Sequence, residues 1–218
     1  MADISESERY WASLMGQATV ILASVSEAEL QVQLFDVLRE FFGDSNCWYE
    51  FIPFTVIPDC LDYPLAPYSG RILRLSGVFD QNNVPQNAVM PEIGKVHFLY
   101  PYTNTQPMVA AVVKTVTDPL CCFPPGIPEW TLPVHGNGIL HGLLGTMMMM
   151  PGQAWSNQQM GAFYQGKFRN AIAKARVATM RANTVGGQAW AFPQQFRVTG
   201  QRGGVSTYNV NPTPLQLR

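Results

Sequence analysis

The stretch S-E-A-E-L-Q-V-Q-L-F-D-V-L-R-E-F-F-G, residues 26–43, predicts the first clear element of the fold, a helix over about 26–42. Ser26 and Glu29 have the S-x-x-E spacing of a capping box, which satisfies unpaired backbone N–H groups of the first turn. Gly43 is predicted to end the helix, because glycine is favoured just after a helix C-terminus. Apolar residues recur at helical spacing and form one face: Leu30, Leu34, Val37, Leu38 and Phe41.

The sequence on either side of this helix predicts a mixed α+β chain. Residues 8–22 are expected to be partly helical, although Gly16 weakens the pattern. From Trp48 to about Trp130, short strand-like runs alternate with Pro, Gly, Asn and Asp, which favours a small antiparallel β-sandwich with long loops. The runs are Glu50–Ile57, Arg71–Phe79, Lys95–Tyr100 and Met108–Val116.

Two further helices are predicted after the β-rich region, around His135–Met149 and about 156–182, with a turn at Pro151–Gly152 between them. Ser156 or Asn157 can cap the second helix. We expect the two helices to form an antiparallel hairpin packed against the first helix. The second helix has a predicted apolar face: Met160, Tyr164, Phe168, Ala171, Ile172 and Ala175.

The last residues differ from the rest of the chain. Gly186–Gly187 breaks the helical pattern, and the N-P-T-P run at 211–214 favours an extended chain. Because aromatic residues are scattered along this segment, we expect it to dock on another subunit. The expected fold is therefore a helical bundle built from the N- and C-terminal parts, an inserted antiparallel β-sandwich-like domain and an extended C-terminal arm. The predicted parts are an N-terminal helical segment (1–47), a β-rich domain (48–132), a helical hairpin completing the bundle (133–185) and the arm (186–218).

Charge is both scarce and unevenly distributed. Hydrophobic residues make up 47% of the chain and charged residues only 13%, about half the usual share, so we expect much of the surface to meet protein. A very compact monomer is the alternative. Residues 1–130 contain all 15 acids and six bases, a net −9, whereas residues 131–218 contain eight bases and no acid, a net +8. In an oligomer these halves can attract each other.

No constellation predicts catalysis, a metal site or a cofactor. Cys121–Cys122 matches no common zinc spacing and has no nucleophile motif around it. His135 and His141 lie six residues apart, so they do not share a helix face, and we interpret them and His97 as structural. The four cysteines are expected to be reduced and structural: Cys47, Cys60, Cys121 and Cys122.

Other unusual residues also have structural interpretations. Met147–Met150 is interpreted as filling gaps in a core or subunit contact. The carboxylates Asp59, Asp62 and Asp80 are interpreted as turn formers or solvated groups. Gly136-Asn137-Gly138 and Gly200–Gly204 are read as caps and flexible joints, because they lack the setting of a phosphate-binding loop.

The sequence also bears on location. Its longest apolar run, Ile139–Met150, is too short for the roughly 20 residues of a membrane span. The acidic N-terminal residues do not have a signal-peptide layout. We therefore expect a protein made and kept in a cytosol-like environment.

The basic C-terminal third is the one constellation with a predicted role, as an interaction surface. It fits either a DNA-binding helix or a protein surface that contacts an acidic neighbour, and the acidic first 130 residues favour the second interpretation. The helical candidates are Lys167, Arg169, Lys174, Arg176 and Arg181. The candidates in the arm are Trp190, Phe192, Phe196, Arg197, Arg202 and Tyr208.

The order of these features resembles the head-to-tail adaptor, or connector, proteins of tailed and especially short-tailed bacteriophages. The resemblance covers about residues 27–182 as an ordered pattern of short motifs. It begins with L-F-D-V-L-R-E-F-F, C-W-Y, D-Y-P-L (62–65) and R-I-L-R-L-S-G-V-F (71–79). It is strongest at L-P (132–133), G-I-L-H-G-L-L (138–144), P-G-Q-A-W-S-N (151–157) and F-R-N-A-I-A-K-A-R (168–176).

The resemblance implies a non-enzymatic virion protein, made in the host bacterial cytoplasm and placed at the head-to-tail interface. Such a protein forms a ring, typically a dodecamer, beneath the portal and around a DNA channel. Its implied partners are further copies of itself, the portal protein, a downstream nozzle or tail-tube protein and double-stranded DNA that passes without sequence-specific binding. The arm would reach the portal or an adjacent copy. The alternative is a DNA-binding or packaging accessory protein that uses the basic C-terminal third.

Overall fold

The computed structural model describes residues 6–117 and 126–182, which form four helices and seven strands. The predicted α+β fold is confirmed, with all of these strands lying between α2 and α3. In chain order the elements are α1 (Glu6–Ile21), α2 (Glu27–Ser45), β1 (Tyr49–Val56), β2 (Asp62–Pro64), β3 (Arg71–Asp80), β4 (Pro85–Gln86), β5 (Ala88–Glu92), β6 (Lys95–Phe98), β7 (Gln106–Thr115), α3 (Thr131–Met149) and α4 (Gln158–Ala182).

The helices form a bundle in which α2, α3 and α4 pack on one another and α1 packs mainly on α3. The apolar face predicted for α2 is buried along its whole length, from Leu30 to Phe41. The expected hairpin of α3 and α4 is also observed, with α2 against both of its helices. The bundle core therefore unites residues from both ends of the described chain.

The two ends of α2 differ in how well they match the prediction. At the start, the Ser26 hydroxyl accepts a hydrogen bond from the Glu29 N–H at 3.2 Å, as the capping box predicts. At the other end the prediction was wrong, because α2 continues past Gly43 to Ser45. The chain turns instead at Asn46, whose φ of 56° is left-handed and whose N–H donates to the Phe42 carbonyl at 3.1 Å. Asparagine tolerates this conformation better than most residues.

The start of α3 also differs from the prediction. The helix begins at Thr131, four residues before the expected start at His135. Pro133 therefore lies in the first turn, where a residue without an N–H costs little because no helical acceptor exists there.

Gly136 and Gly138 are inside α3 and are not caps or joints, which corrects the sequence interpretation. A Cβ at Gly138 would lie 2.6 Å from the Cβ of Ala171 on α4. A Cβ at Gly142 would lie 2.6 Å from a methyl group of Val37 and 2.8 Å from the Phe168 ring. Gly138 and Gly142 thus allow the three helices to approach closely, a requirement that a turn-based interpretation of glycine misses.

The strands form two antiparallel sheets with orders β1-β7-β3-β4 and β2-β6-β5. Each of the four predicted strand-like runs corresponds to a strand, with small differences at the ends. The two sheets share an apolar core that is separate from the bundle core. Its most buried members include Val56, Ile72, Val78, Val96, Phe98 and Val112.

A buried ion pair lies where the β-domain joins the bundle. Lys114 on β7 is 2% exposed, and its Nζ lies 2.5 Å from the Glu50 carboxylate. The same ammonium lies 4.8 Å from the centroid of the Trp48 ring, which belongs to the bundle core. The Lys114 N–H also donates to the Trp48 carbonyl at 2.9 Å. Lys114 therefore links the two cores directly.

Two further sequence predictions concern a membrane span and the C-terminal arm. Among residues 6–117 and 126–182, no helix is both long and apolar enough to cross a membrane. The arm, 186–218, lies outside the described residues, and the proposed segment boundaries stay predictions.

Candidate interaction surface

The helix α4 has the basic residues that the sequence predicted as an interaction surface. Asn157, not Ser156, caps it, since its side-chain oxygen accepts a hydrogen bond from the Met160 N–H at 3.1 Å. Of the predicted apolar face, Phe168, Ile172 and Ala175 are buried, whereas Met160 is exposed. The burial of these three residues fixes the rotation of α4 and leaves all of its Lys and Arg residues exposed.

The five bases of α4 form two rows along the helix. The Lys167 row contains Lys167, Lys174 and Arg181, and the Arg169 row contains Arg169 and Arg176. Successive members are seven residues apart, close to two helical turns, so each row lies on one side of the helix. No acidic residue occurs anywhere in α4. The helix therefore presents positive charge on both flanks of its exposed face.

Between the two rows lies an outer apolar strip, consisting of Phe163, Val177 and Met180. These side chains are 53%, 47% and 55% exposed, so they do not belong to the bundle core. An exposed apolar strip flanked by charge is typical of surfaces that contact another macromolecule. The strip was not identified from the buried face of α4; a helical projection of the sequence, which places these three residues on the opposite side, could have predicted it.

The charges of α4 have no acidic partners in the described part of the chain. Lys167 instead lies 4.5 Å from the centroid of the Phe163 ring. The neighbouring His141 stacks on Tyr164 with ring centroids 5.6 Å apart. Burial, with a smaller effect from the positive charge of Lys167, lowers the pKa of His141. His141 is thus a neutral packing residue beside the basic surface.

A second charged feature, on α2, was not identified from the sequence. Asp36, Glu40 and Asp44 are exposed and form an acidic row at i, i+4 and i+8 on the side of α2 away from the core. Asp36 pairs with Arg39 at 3.1 Å, whereas Glu40 and Asp44 have no ion pair within the described residues. The spacing of the three acids in the sequence could have predicted this row. The net charges of the two halves of the chain do not show it, because they do not distinguish the faces of a helix.

Several charged residues of the β-domain have local partners. Asp62 bonds to the His97 ring at 2.9 Å and to Lys95 at 3.4 Å. The hydrogen bond from His97, followed by that from Lys95, lowers the pKa of Asp62. Asp80 accepts hydrogen bonds from the N–H groups of Asn82 and Val84 and so forms the β3–β4 turn. Asp80 thus forms a turn, as predicted, whereas Asp62 lies in β2 and forms an exposed ion pair with Lys95, so it is not a turn former.

The remaining candidates for chemistry within the described residues are His135, Cys47 and Cys60. His135 packs on Phe41, with ring centroids 5.1 Å apart, and burial lowers its pKa. Cys47 and Cys60 are free thiols. Within 6–117 and 126–182, no three potential metal ligands come together. Met147 and Met148 are buried in the bundle, as the gap-filling interpretation predicts.

Several predicted residues lie outside the described ranges and stay predictions. They include Cys121–Cys122 and Gly200–Gly204, together with the arm candidates Trp190, Phe192, Phe196, Arg197, Arg202 and Tyr208. No protein-family model matches the chain, and no curated protein is significantly similar to it. The function is therefore inferred from the residues of this chain.

Proposed function

We propose that this chain is a non-enzymatic structural protein of a bacteriophage virion, a head-to-tail adaptor that forms a ring beneath the portal and joins it to the tail. The observation that carries the proposal is the exposed surface of α4, where bases without acidic partners in the described chain flank an outer apolar strip. Such a surface is better suited to contact with another macromolecule than to binding a substrate. The resemblance of residues 27–182 to phage adaptors supplies the setting.

The composition supports assembly over a solitary monomer. The chain as a whole is close to neutral, yet its positive charge is concentrated on α4 and in the residues after it. When a surface with such a charge meets an acidic surface of another copy, the attraction between opposite charges offsets the repulsion among the like charges on each surface. A contact between two different surfaces of identical subunits repeats from copy to copy, and it closes into a ring when the rotation allows.

The function of the ring would be mechanical. It would seal the packaged genome, connect the portal with a nozzle or tail-tube protein and let DNA pass during ejection. A channel through which DNA moves must not bind phosphate tightly, because each neutralised phosphate adds to the affinity. In the proposed assembly the bases of α4 therefore contact protein, and the lumen leaves DNA free to slide.

A DNA-binding or packaging accessory protein is the second candidate. It is favoured by the same five bases, which lie on one exposed helix without an acid. This candidate predicts that the protein binds double-stranded DNA and that the affinity falls steeply with added salt. The adaptor proposal predicts little DNA affinity once the ring has formed.

The first experiment measures the mass of the purified full chain by light scattering, alone and mixed with the portal protein encoded in the same genome. Electron microscopy of both samples then shows whether a ring forms. The adaptor proposal expects a ring, either of the protein alone or on the portal. A chain that stays monomeric in both samples contradicts the proposal. Salt-sensitive DNA binding by that monomer would favour the second candidate.

A further inference from the structure

The acidic row of α2 is an unfavourable arrangement for an isolated subunit. Asp36 and Glu40, and again Glu40 and Asp44, are like charges four residues apart on one helix, a spacing that destabilises a helix. Arg39 pairs with Asp36, and Arg74 of β3 donates to the carbonyl of Gly43 beside Asp44 at 3.3 Å, but Glu40 and Asp44 have no ion pair within the described residues. A cationic partner along this row would replace repulsion with attraction.

The bases of α4 in the same subunit lie on a different exposed face. On α2, Asp36 and Glu40 lie away from the buried stripe that contains Leu34, Leu38 and Phe41, and Asp44 is exposed at the flank of that stripe. On α4 the Lys167 row likewise lies away from the stripe that contains Phe168 and Ile172. Because α2 and α4 both turn their buried stripes toward the shared core, their outer faces diverge. No ion pair joins the two rows within the described residues of the subunit, so both are open to another molecule.

The spacings of the two rows are compatible. At 1.5 Å per residue, Asp36 and Asp44 are separated by about 12 Å along α2. Lys174 and Arg181 are separated by about 10 Å along α4. Long Lys and Arg side chains can absorb the difference of about 2 Å. The apolar strip beside the Lys167 row can pack on Val32, which is exposed on α2.

We propose that the Lys167 row of one subunit docks on the acidic row of α2 in a second copy of this chain. The pairing rests on the proposed function, because it identifies the surface through which the ring assembles. Each exposed ion pair contributes little, so the charges mainly select the partner and set the register. Burial of the outer apolar strip, made by Phe163, Val177 and Met180, supplies the non-specific attraction.

The test uses two charge-reversal variants of the full chain. One carries Lys174→Glu and Arg181→Glu on α4, and the other carries Glu40→Lys and Asp44→Lys on α2. Each variant alone brings like charges together at the proposed contact, so we expect self-association at least about tenfold weaker than that of the wild type. An equimolar mixture pairs acidic α4 with basic α2 and basic α4 with acidic α2. The mixture is expected to assemble again, in alternating order.

Light scattering and native mass spectrometry measure the assembly state, with the portal added if the wild type requires it. The matched control is Arg169→Glu with Arg176→Glu, an equal change in charge on the other row, which is expected to weaken self-association less than the Lys174/Arg181 variant does; equal weakening would contradict the pairing. Recovery in the mixture also shows that both reversed variants are folded. If the wild type forms a ring and the Lys174/Arg181 variant assembles equally well, or if the mixture stays dissociated, the pairing is wrong while the adaptor proposal stands. A wild type that never assembles overturns both.

Discussion

The charged residues of the helical bundle and of the β-domain differ in whether they have partners within the subunit. In the β-domain, the ionisable groups Asp62, Lys95 and Lys114 are paired within the domain, and Asp80 is used by a turn. In the bundle, α2 and α4 have rows of like charge on their outer faces. These charges of the β-domain have partners inside the subunit, whereas the rows of like charge on the outer faces of the bundle are available to another molecule.

The two regions also reach their packing by different means. The bundle brings backbones close together at small residues, as at Gly138 and Gly142. The β-domain packs side chains between two sheets and is tied to the bundle by the Lys114 ion pair. All four tryptophans of the described chain lie in or against the bundle core or at the start of α3, so tryptophan fluorescence reports mainly on the bundle: Trp11, Trp48, Trp130 and Trp155.

The largest expected effect is in the bundle, at the close approach of α3. Gly142→Ala places a Cβ within 3 Å of both Val37 and Phe168, so we expect a loss of about 2–3 kcal/mol in the free energy of unfolding. Urea denaturation followed by tryptophan fluorescence measures it. The control is Gly136→Ala in the same helix, where no atom lies within 4 Å and the better helix propensity adds about 0.5–1 kcal/mol. Equal effects of the two changes would mean that close packing does not select glycine here.

A second substitution tests the ion pair that connects the two regions. Lys114→Met keeps the length of the side chain but leaves the Glu50 carboxylate without its buried partner. We expect a loss of about 2 kcal/mol, because an unpaired and partly buried charge costs roughly 1–3 kcal/mol. The double variant with Glu50→Gln should recover part of the loss. If Lys114→Met alone is neutral in urea denaturation, the pair does not stabilise the joint.

Features that depend on residues close together in the sequence were predicted, whereas features that depend on contacts between distant parts of the chain were missed. The capping box at Ser26 and the strand-like runs are local patterns, and both were found. The continuation of α2 past Gly43 was missed, because it depends on tertiary packing, with Phe42 5.0 Å from the Trp48 ring. The role of Gly138 was missed for a related reason, since its contact, Ala171, lies on another helix.

The candidate surface was predicted in part. The basic residues of α4 could be named from the sequence because charge is visible without a fold. The acidic row of α2 required knowledge of the buried face, and the divergence of the two outer faces required the bundle itself. The residues of the arm stay predictions.

A third prediction contrasts the response of the two regions to pH. Burial lowers the pKa of His135 and His141 in the folded bundle below the ordinary 6.5. The unfolded chain therefore binds more protons, and the stability of the bundle falls as the pH decreases through the ordinary histidine value. Asp62 in the β-domain has a lowered pKa, so its contribution is present above 3.8 and is lost only as the pH falls through the lower folded value.

We therefore expect the urea midpoint measured by tryptophan fluorescence to be lower at pH 5.5 than at pH 7.5. The decrease should be smaller than the decrease caused by Gly142→Ala or by Lys114→Met. The variant with His135→Gln and His141→Gln should reduce this dependence on pH, whereas Asp62→Asn should leave it unchanged. A midpoint that rises toward pH 5.5 contradicts the lowered pKa of the two half-buried histidines of the bundle.

The smallest expected effect concerns the left-handed residues that each region uses to turn the chain. Asn46 ends α2 with a φ of 56°, and its side-chain oxygen is buried without a hydrogen-bond partner. Asn83 has a similar φ of 61° in the β3–β4 turn but is exposed. Asn46→Gly removes the unsatisfied oxygen and relieves the conformation, so we expect a gain of about 0.5 kcal/mol. Asn83→Gly relieves only the conformation, which the greater freedom of glycine in the unfolded chain offsets, and should change the free energy of unfolding by less. Equal gains in urea denaturation would show that the backbone conformation, and not the buried oxygen, limits stability at the end of α2.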